Sequence, residues 1–148
     1  MSTNEHIHFT ALEPDIQSLI RSSVLVRENS YSPYSNFKVG AAVLCSDDTI
    51  STGCNVENVS YPVGTCAERV AIAKAVSEGK RKFKALAVVA DNVNNSFVSP
   101  CGMCRQYIAE FGNIPVYMSS PDMTIALKCT VSNLLPHAFI SMNAEMIQ

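Results

Sequence analysis

The chain has 148 residues, of which 47% are hydrophobic and 16% charged, and its formal net charge is −2. That length suits one domain burying roughly 70% of its unfolded surface, and a charged fraction below the usual ~25% points to surface hidden in subunit contacts. The densest basic cluster is Lys80-Arg81-Lys82, too small a footprint for a nucleic-acid polymer, whose phosphates demand a broad cationic surface.

In chain order, Met1 to His6 lack the basic start and apolar core of a signal peptide. No stretch approaches the roughly 18 apolar residues of a membrane span. Residues 1–12 read as a polar arm. Glu13-Pro14-Asp15 is a helix start, with Pro tolerated at the first position and acids favoured in the first turn. Ile16, Leu19, Ile20 and Val24 at helical spacing carry that helix to about Glu28. Residues 31–36 form a loop of turn formers and tyrosine, and residues 37–45 alternate as a strand. Ser46-Asp47-Asp48 turns this strand into a second, residues 49–56, and residues 58–64 form another loop.

Residues 65–78 are helical and end at Gly79 as a left-handed cap. Apolar residues from Ala67 to Val76 cover most of this helix's circumference, which predicts deep burial. The apolar run at 83–90 suits a central strand covered on both faces. After an Asn-rich loop, Ser99 is the expected N-cap, with Pro100 behind it, of a helix reaching Phe111 and ended by Gly112. Residues 116–118 and 124–127 suit short strands, and 131–135 a terminal helical turn. This order implies an α/β fold of three layers, α/β/α, around a mixed five-stranded sheet, in a single domain spanning 1–148.

Six cysteines in a chain without a secretion signal point to a reducing, cytoplasmic setting with thiols that are free, metal-bound or catalytic. Cys101-x-x-Cys104 at a helix start presents two sulfurs to one metal, and Cys66 at another helix start supplies a third. Three protein ligands are the pattern of a catalytic zinc, which keeps its fourth position for water; a structural zinc would close with a fourth ligand such as Cys54. A redox pair is the other reading of Cys101 and Cys104, but it leaves Cys66 and Glu68 unexplained. Cys45, Cys54 and Cys129 read as buried free thiols. Three thiolates with Zn²⁺ sum to −1; two helix N-termini, each worth about +0.5, offset that excess, and Arg69 adds hydrogen bonds to sulfur. Glu68 has two readings. Thr65-x-x-Glu68 is a capping-box pattern, and a carboxylate two residues from Cys66 is also what a proton shuttle beside zinc-activated water requires.

The ordered set Cys-Ala-Glu-Arg (66–69), Pro-Cys-Gly-Met-Cys-Arg-Gln (100–106), Tyr-Ser-Pro-Tyr-Ser-Asn-Phe-Lys-Val-Gly-Ala-Ala (31–42), Asn-Val-Glu-Asn (55–58), Ser60-Tyr61-Pro62 and Leu134-Leu135-Pro136 resembles the small homotetrameric zinc-dependent cytidine deaminases over roughly residues 16–139. The resemblance implies one Zn²⁺ per subunit on Cys66, Cys101 and Cys104. Glu68 would move a proton from the activated water to N3 of cytosine and then to the amino group leaving C4. It further implies that Asn55 and Glu57 bind ribose, Phe37 lies against the pyrimidine, and the Ala67 N–H and Ser99 carbonyl read the base edge. Tyr61 and Phe139 would reach a neighbouring subunit's site. The implied activity is hydrolytic deamination of cytidine and 2′-deoxycytidine in pyrimidine salvage. The alternatives are a deaminase for another aminopyrimidine, such as a blasticidin-type antibiotic or free cytosine, and a structural zinc module. Two stretches depart from the family pattern: Asp122-Met123 where Asp-Gly is common, and Ile140-Ser141-Met142 after Phe139. His6, His8 and His137 fall outside the motifs and are expected to face solvent.

Overall fold

Every residue of the strand Gly40–Cys45 is buried, and alternate side chains serve opposite layers. Ala41, Val43 and Cys45 pack with one apolar cluster, Ala42 and Leu44 with the other, as the period of two along a strand dictates. The structure, a computed structural model, describes residues 4–141. The first three residues of the expected N-terminal arm, and Met142 of the divergent tail, lie outside that range.

In chain order the elements are β1 (Glu5–His8), α1 (Pro14–Arg27), β2 (Gly40–Cys45), β3 (Ile50–Cys54), α2 (Ala67–Ser77), β4 (Phe83–Val89), α3 (Gly102–Ala109), β5 (Pro115–Ser119), β6 (Ile125–Thr130) and α4 (Val131–Leu134). The sheet runs β1-β6-β5-β4-β2-β3, with β4 and β5 parallel and every other neighbouring pair antiparallel. α1 covers one face through Ile16, Leu19 and Ile20. α2 and α3 cover the other, where Ala67, Ala71, Ile72, Ala75 and Ile108 meet β2, β4 and β5. The three-layer α/β/α reading holds. Among the described residues no helix is long and apolar enough to cross a membrane.

The sheet has six strands, not five. The sixth comes from the segment read as a polar arm, in which Glu5–His8 pairs antiparallel with β6. Only Ile7 of this strand is partly buried, against the α1 cluster. An edge strand held chiefly by main-chain bonds on one side needs little apolar alternation, so its sequence carried no strand signal. α2 also differs from expectation: it buries one face, while Ala73 is exposed. The strand expected from Phe37 starts at Gly40, where α1 crosses closely enough that a Cβ would sit 2.0 Å from the Ser23 carbonyl oxygen. The Asp122-Met123 turn still forms. Asp122 Oδ1 accepts from Ser120 Oγ at 2.7 Å and from the Thr124 N–H at 3.1 Å, and Met123 takes the left-handed conformation (φ 55°) that favours glycine.

Candidate active site

β2 lies between β3 and β4 and runs antiparallel to both, so β3 and β4 finish at the same end of the sheet. α2 and α3 follow them in one helical layer and therefore begin at that shared end. Cys66 is the N-cap of α2, Cys101 is the N-cap of α3, and Cys104 sits in the first turn of α3. The three sulfurs lie within 4.8 Å of one another, and Cys66 and Cys101 are 3.8 Å apart. Tetrahedral zinc with Zn–S bonds of about 2.3 Å spaces its sulfurs about 3.8 Å apart, so this donor set fits the ion. Cys54 is not in the cluster, and among the described residues the four-cysteine shell of a structural site is not formed. Of the other thiols, Cys45 and Cys129 are buried and Cys54 is half-buried.

Two local features set this geometry. Gly53 in β3 faces α2, where a Cβ would stand 2.4 Å from the Ala71 nitrogen and 2.6 Å from the Ala67 carbonyl oxygen. Only a bare backbone lets the helix that starts at Cys66 come so close. The approach to Cys101 is fixed by Arg105. Its Nε donates to the Pro100 carbonyl (2.7 Å), its Nη1 to the Leu134 carbonyl (2.7 Å) and its Nη2 to Ser99 Oγ (2.8 Å). Ser99 is thus a partner of Arg105 and not the helix cap expected of it.

Glu68 makes no capping box. Cys66 is the N-cap, no side chain caps α2, and the Thr65 N–H donates instead to the Val56 carbonyl at 2.9 Å. The carboxyl is only 4% exposed, and its Oε2 accepts from the Cys104 thiol at 3.7 Å. Burial raises its pKa from 4.5 to about 6. The thiols are pushed apart. Cys66 is held well below the usual thiol range by the neighbouring Cys104 thiol and by Arg69, whereas Cys104 is pushed up by Cys66 and by burial. Arg69 Nη2 lies 3.6 Å from Cys66 Sγ, and its buried Nε has no hydrogen-bond partner among the described residues. Sulfurs and a carboxylate gathered against one guanidinium make a site in which a divalent cation is electrostatically welcome.

A cleft of about 450 Å³ opens over Cys66 and Cys101 and is lined also by Tyr34, Ser35, Asn55, Glu57, Tyr61 and Met103. This volume takes a small molecule. Asn55 and Glu57 therefore share one cleft with Cys66 and Cys101, through the segment in which Val56 bridges Tyr31 on one side and Thr65 on the other. Most of their polar atoms are already engaged. Asn55 Oδ1 accepts from the Val39 N–H (2.9 Å) and from Ser30 Oγ, while its Nδ2 donates to the Phe37 carbonyl (2.8 Å). Glu57 Oε1 accepts from the N–H groups of Tyr34 (3.0 Å) and Ser35 (3.1 Å), and Oε2 accepts from Ser35 Oγ. Phe37, Ala67, Ser99 and Phe139 are outside the cleft lining. Phe37 is half-buried beside it, and Ala67 is buried at the first position of α2. Tyr61 is 76% exposed at the rim and Phe139 is 87% exposed, with its backbone N–H and carbonyl both paired to the Gln106 amide. All three histidines face solvent. Ser30, Ser35, Arg105 and Gln106 were not singled out by sequence, although each lies in or beside a motif quoted for other residues.

Residues 13–120 match the family model described as the cytidine and deoxycytidylate deaminase zinc-binding region. The chain belongs to this deaminase family. A cytidine deaminase from Sporosarcina psychrophila is 54% identical over 127 residues, covering 84% of this chain and 91% of that one. The crystal structure of cytidine deaminase from Burkholderia pseudomallei superposes with a TM-score of 0.77 at 40% identity, covering 82% of this chain and 97% of that one. A blasticidin-S deaminase from Bacillus cereus stands further off, 32% identical over 111 residues. The deaminase-family match contains Cys66, Glu68, Cys101 and Cys104 and stops short of Phe139.

Proposed function

We propose that this chain, as one domain over residues 1–148, converts cytidine and 2′-deoxycytidine with water into uridine and 2′-deoxyuridine plus ammonia. The observation that supports this most is a buried carboxylate, Glu68, set against three clustered sulfurs, two of which line a cleft that also holds Asn55 and Glu57. Zinc held by Cys66, Cys101 and Cys104 supplies a Lewis acid and a water made acidic enough to lose a proton near neutral pH.

The chain's own groups do the rest. Glu68 is buried and its Oε2 lies against the Cys104 sulfur, which places a carboxylate where protons must move between water and base. It accepts the proton of the attacking water, hands it to N3 of the base, and serves again as the amino group leaves C4. The Ala67 N–H belongs to the first turn of α2, where backbone donors have no helical partner, and reads the base edge together with the Ser99 carbonyl. Asn55 keeps one N–H and Glu57 Oε2 one acceptor position for a sugar hydroxyl. Arg69 stays cationic beside Cys66 and limits the negative charge reaching the metal. Phe37 flanks the pyrimidine.

The exposed Tyr61 and Phe139 support a homotetramer in which each subunit completes its neighbour's site. Six free cysteines support a reducing, cytoplasmic setting. Uridine release from cytidine by the zinc-loaded protein, with cytosine and blasticidin S as comparison substrates, tests the assignment. Faster turnover of either comparison substrate would move the assignment to it.

A further inference from the structure

Glu57 is half-buried, and its carboxylate accepts three hydrogen bonds from the described residues. Among the described residues its three donors come from two consecutive positions. The Tyr34 and Ser35 N–H groups fill both acceptor positions of Oε1, and the Ser35 hydroxyl takes one of the two on Oε2. The same Ser35 oxygen accepts from the Phe37 N–H at 3.0 Å, so its proton is directed at Glu57. The turn that presents Ser35 is closed by the Asn36 N–H on the Ser32 carbonyl at 3.0 Å. Pro33 pre-sets its backbone, and Asn36 takes the left-handed conformation (φ 55°) that asparagine tolerates. A hydrogen-bonded line thus runs from the Phe37 N–H through Ser35 to Glu57, and the last two residues line the cleft over Cys66. The Ser35 hydroxyl is also the main cause holding the Glu57 carboxyl below its ordinary range.

We propose that Ser35 is a positioning residue for nucleoside binding: its hydroxyl fixes the Glu57 carboxylate so that a single acceptor position on Oε2 faces the cleft, ready for one sugar hydroxyl. This rests on the reading of Glu57 as a sugar contact. Without the Ser35 hydroxyl, Glu57 keeps its two backbone donors but can rotate about them, and Oε2 presents two acceptor positions, neither aimed. The loss falls on binding of the sugar and not on chemistry at the base.

Steady-state kinetics of the zinc-loaded full chain test this with cytidine and with 2′,3′-dideoxycytidine, which lacks both ring hydroxyls. Ser35→Ala should raise KM for cytidine about fivefold, the size of one ordinary hydrogen bond, with kcat within about twofold of wild type. Ser35→Thr, which keeps the hydroxyl, should restore KM. The Ser35→Ala effect should vanish with 2′,3′-dideoxycytidine and on a Glu57→Gln background. An unchanged cytidine KM in Ser35→Ala, or the same rise for both substrates, overturns the proposal. If Glu57→Gln raises KM while Ser35→Ala does not, the positioning role alone fails. If Glu57→Gln leaves the cytidine KM at the wild-type value, the sugar-contact reading fails and the role of Ser35 falls with it.

Discussion

Replacing Glu68 by Gln separates its two proposed consequences, a cost to the fold and a gain to the chemistry. The side chain is 4% exposed, so the near-isosteric amide keeps the packing. Burial raises the carboxyl's pKa from 4.5 to about 6. Each tenfold in a protonation equilibrium is about 1.4 kcal/mol, so the ionised form costs the metal-free fold about 2 kcal/mol near neutral pH. Between about pH 4.5 and 6 the folded chain binds a proton that the unfolded chain has lost, and stability therefore falls as pH rises through that window. Chelated Glu68→Gln should be more stable than chelated wild type by up to about 2 kcal/mol at pH 7.5, a urea midpoint about 1 M higher, and should match it near pH 4. The zinc-loaded variant should meanwhile lose about 10²- to 10⁴-fold in turnover at full metal content. Urea titrations at the two pH values, with metal analysis of the loaded enzyme, read both arms. Equal stability at pH 7.5, or turnover retained, would refute the reasoning; loss of zinc would make Glu68 structural.

Three other perturbations have definite outcomes. Arg69→Ala removes the cation 3.6 Å from Cys66, which leaves more thiolate charge on the metal; turnover should fall with zinc content maintained, and wild-type turnover would mean the two helix starts suffice. Gly53→Ala drives a Cβ into the α2 backbone at 2.4 Å; the cost should reach about 3 kcal/mol, seen as a melting temperature lower by roughly 10 °C. Arg105→Lys cannot reproduce three directed donors, so the loop into Cys101 should loosen and zinc affinity measured by competition with a chelator should drop.

Much of the site was legible because its parts are local. A Pro-Cys-x-x-Cys run and a Cys two residues before Glu68 announce ligands at helix starts, and the sheet's strand directions then bring those starts together. What the sequence hid was set by contacts distant in the chain. Glu68 fits a capping box on paper, but the Thr65 N–H that would answer it is claimed by Val56 across an isolated bridge. Ser99 fits an N-cap, but Arg105 takes its hydroxyl. β1 has one partly buried side chain and owes its place to main-chain pairing with β6. Asn55 and Glu57 were legible only through the family resemblance, as a sugar-binding pair; that they also hold the 34–39 loop depends on a turn 20 residues away, whose serine hydroxyl no periodicity marks.

The central claim is that three sulfurs holding zinc and one buried carboxylate deaminate a cytosine nucleoside. Measuring uridine and ammonia from cytidine and zinc per chain on the same purified sample tests it most directly. The account predicts equimolar uridine and ammonia, about one zinc per chain, and turnover that disappears on chelation and returns with zinc. A sample with full zinc that leaves cytidine intact would contradict it.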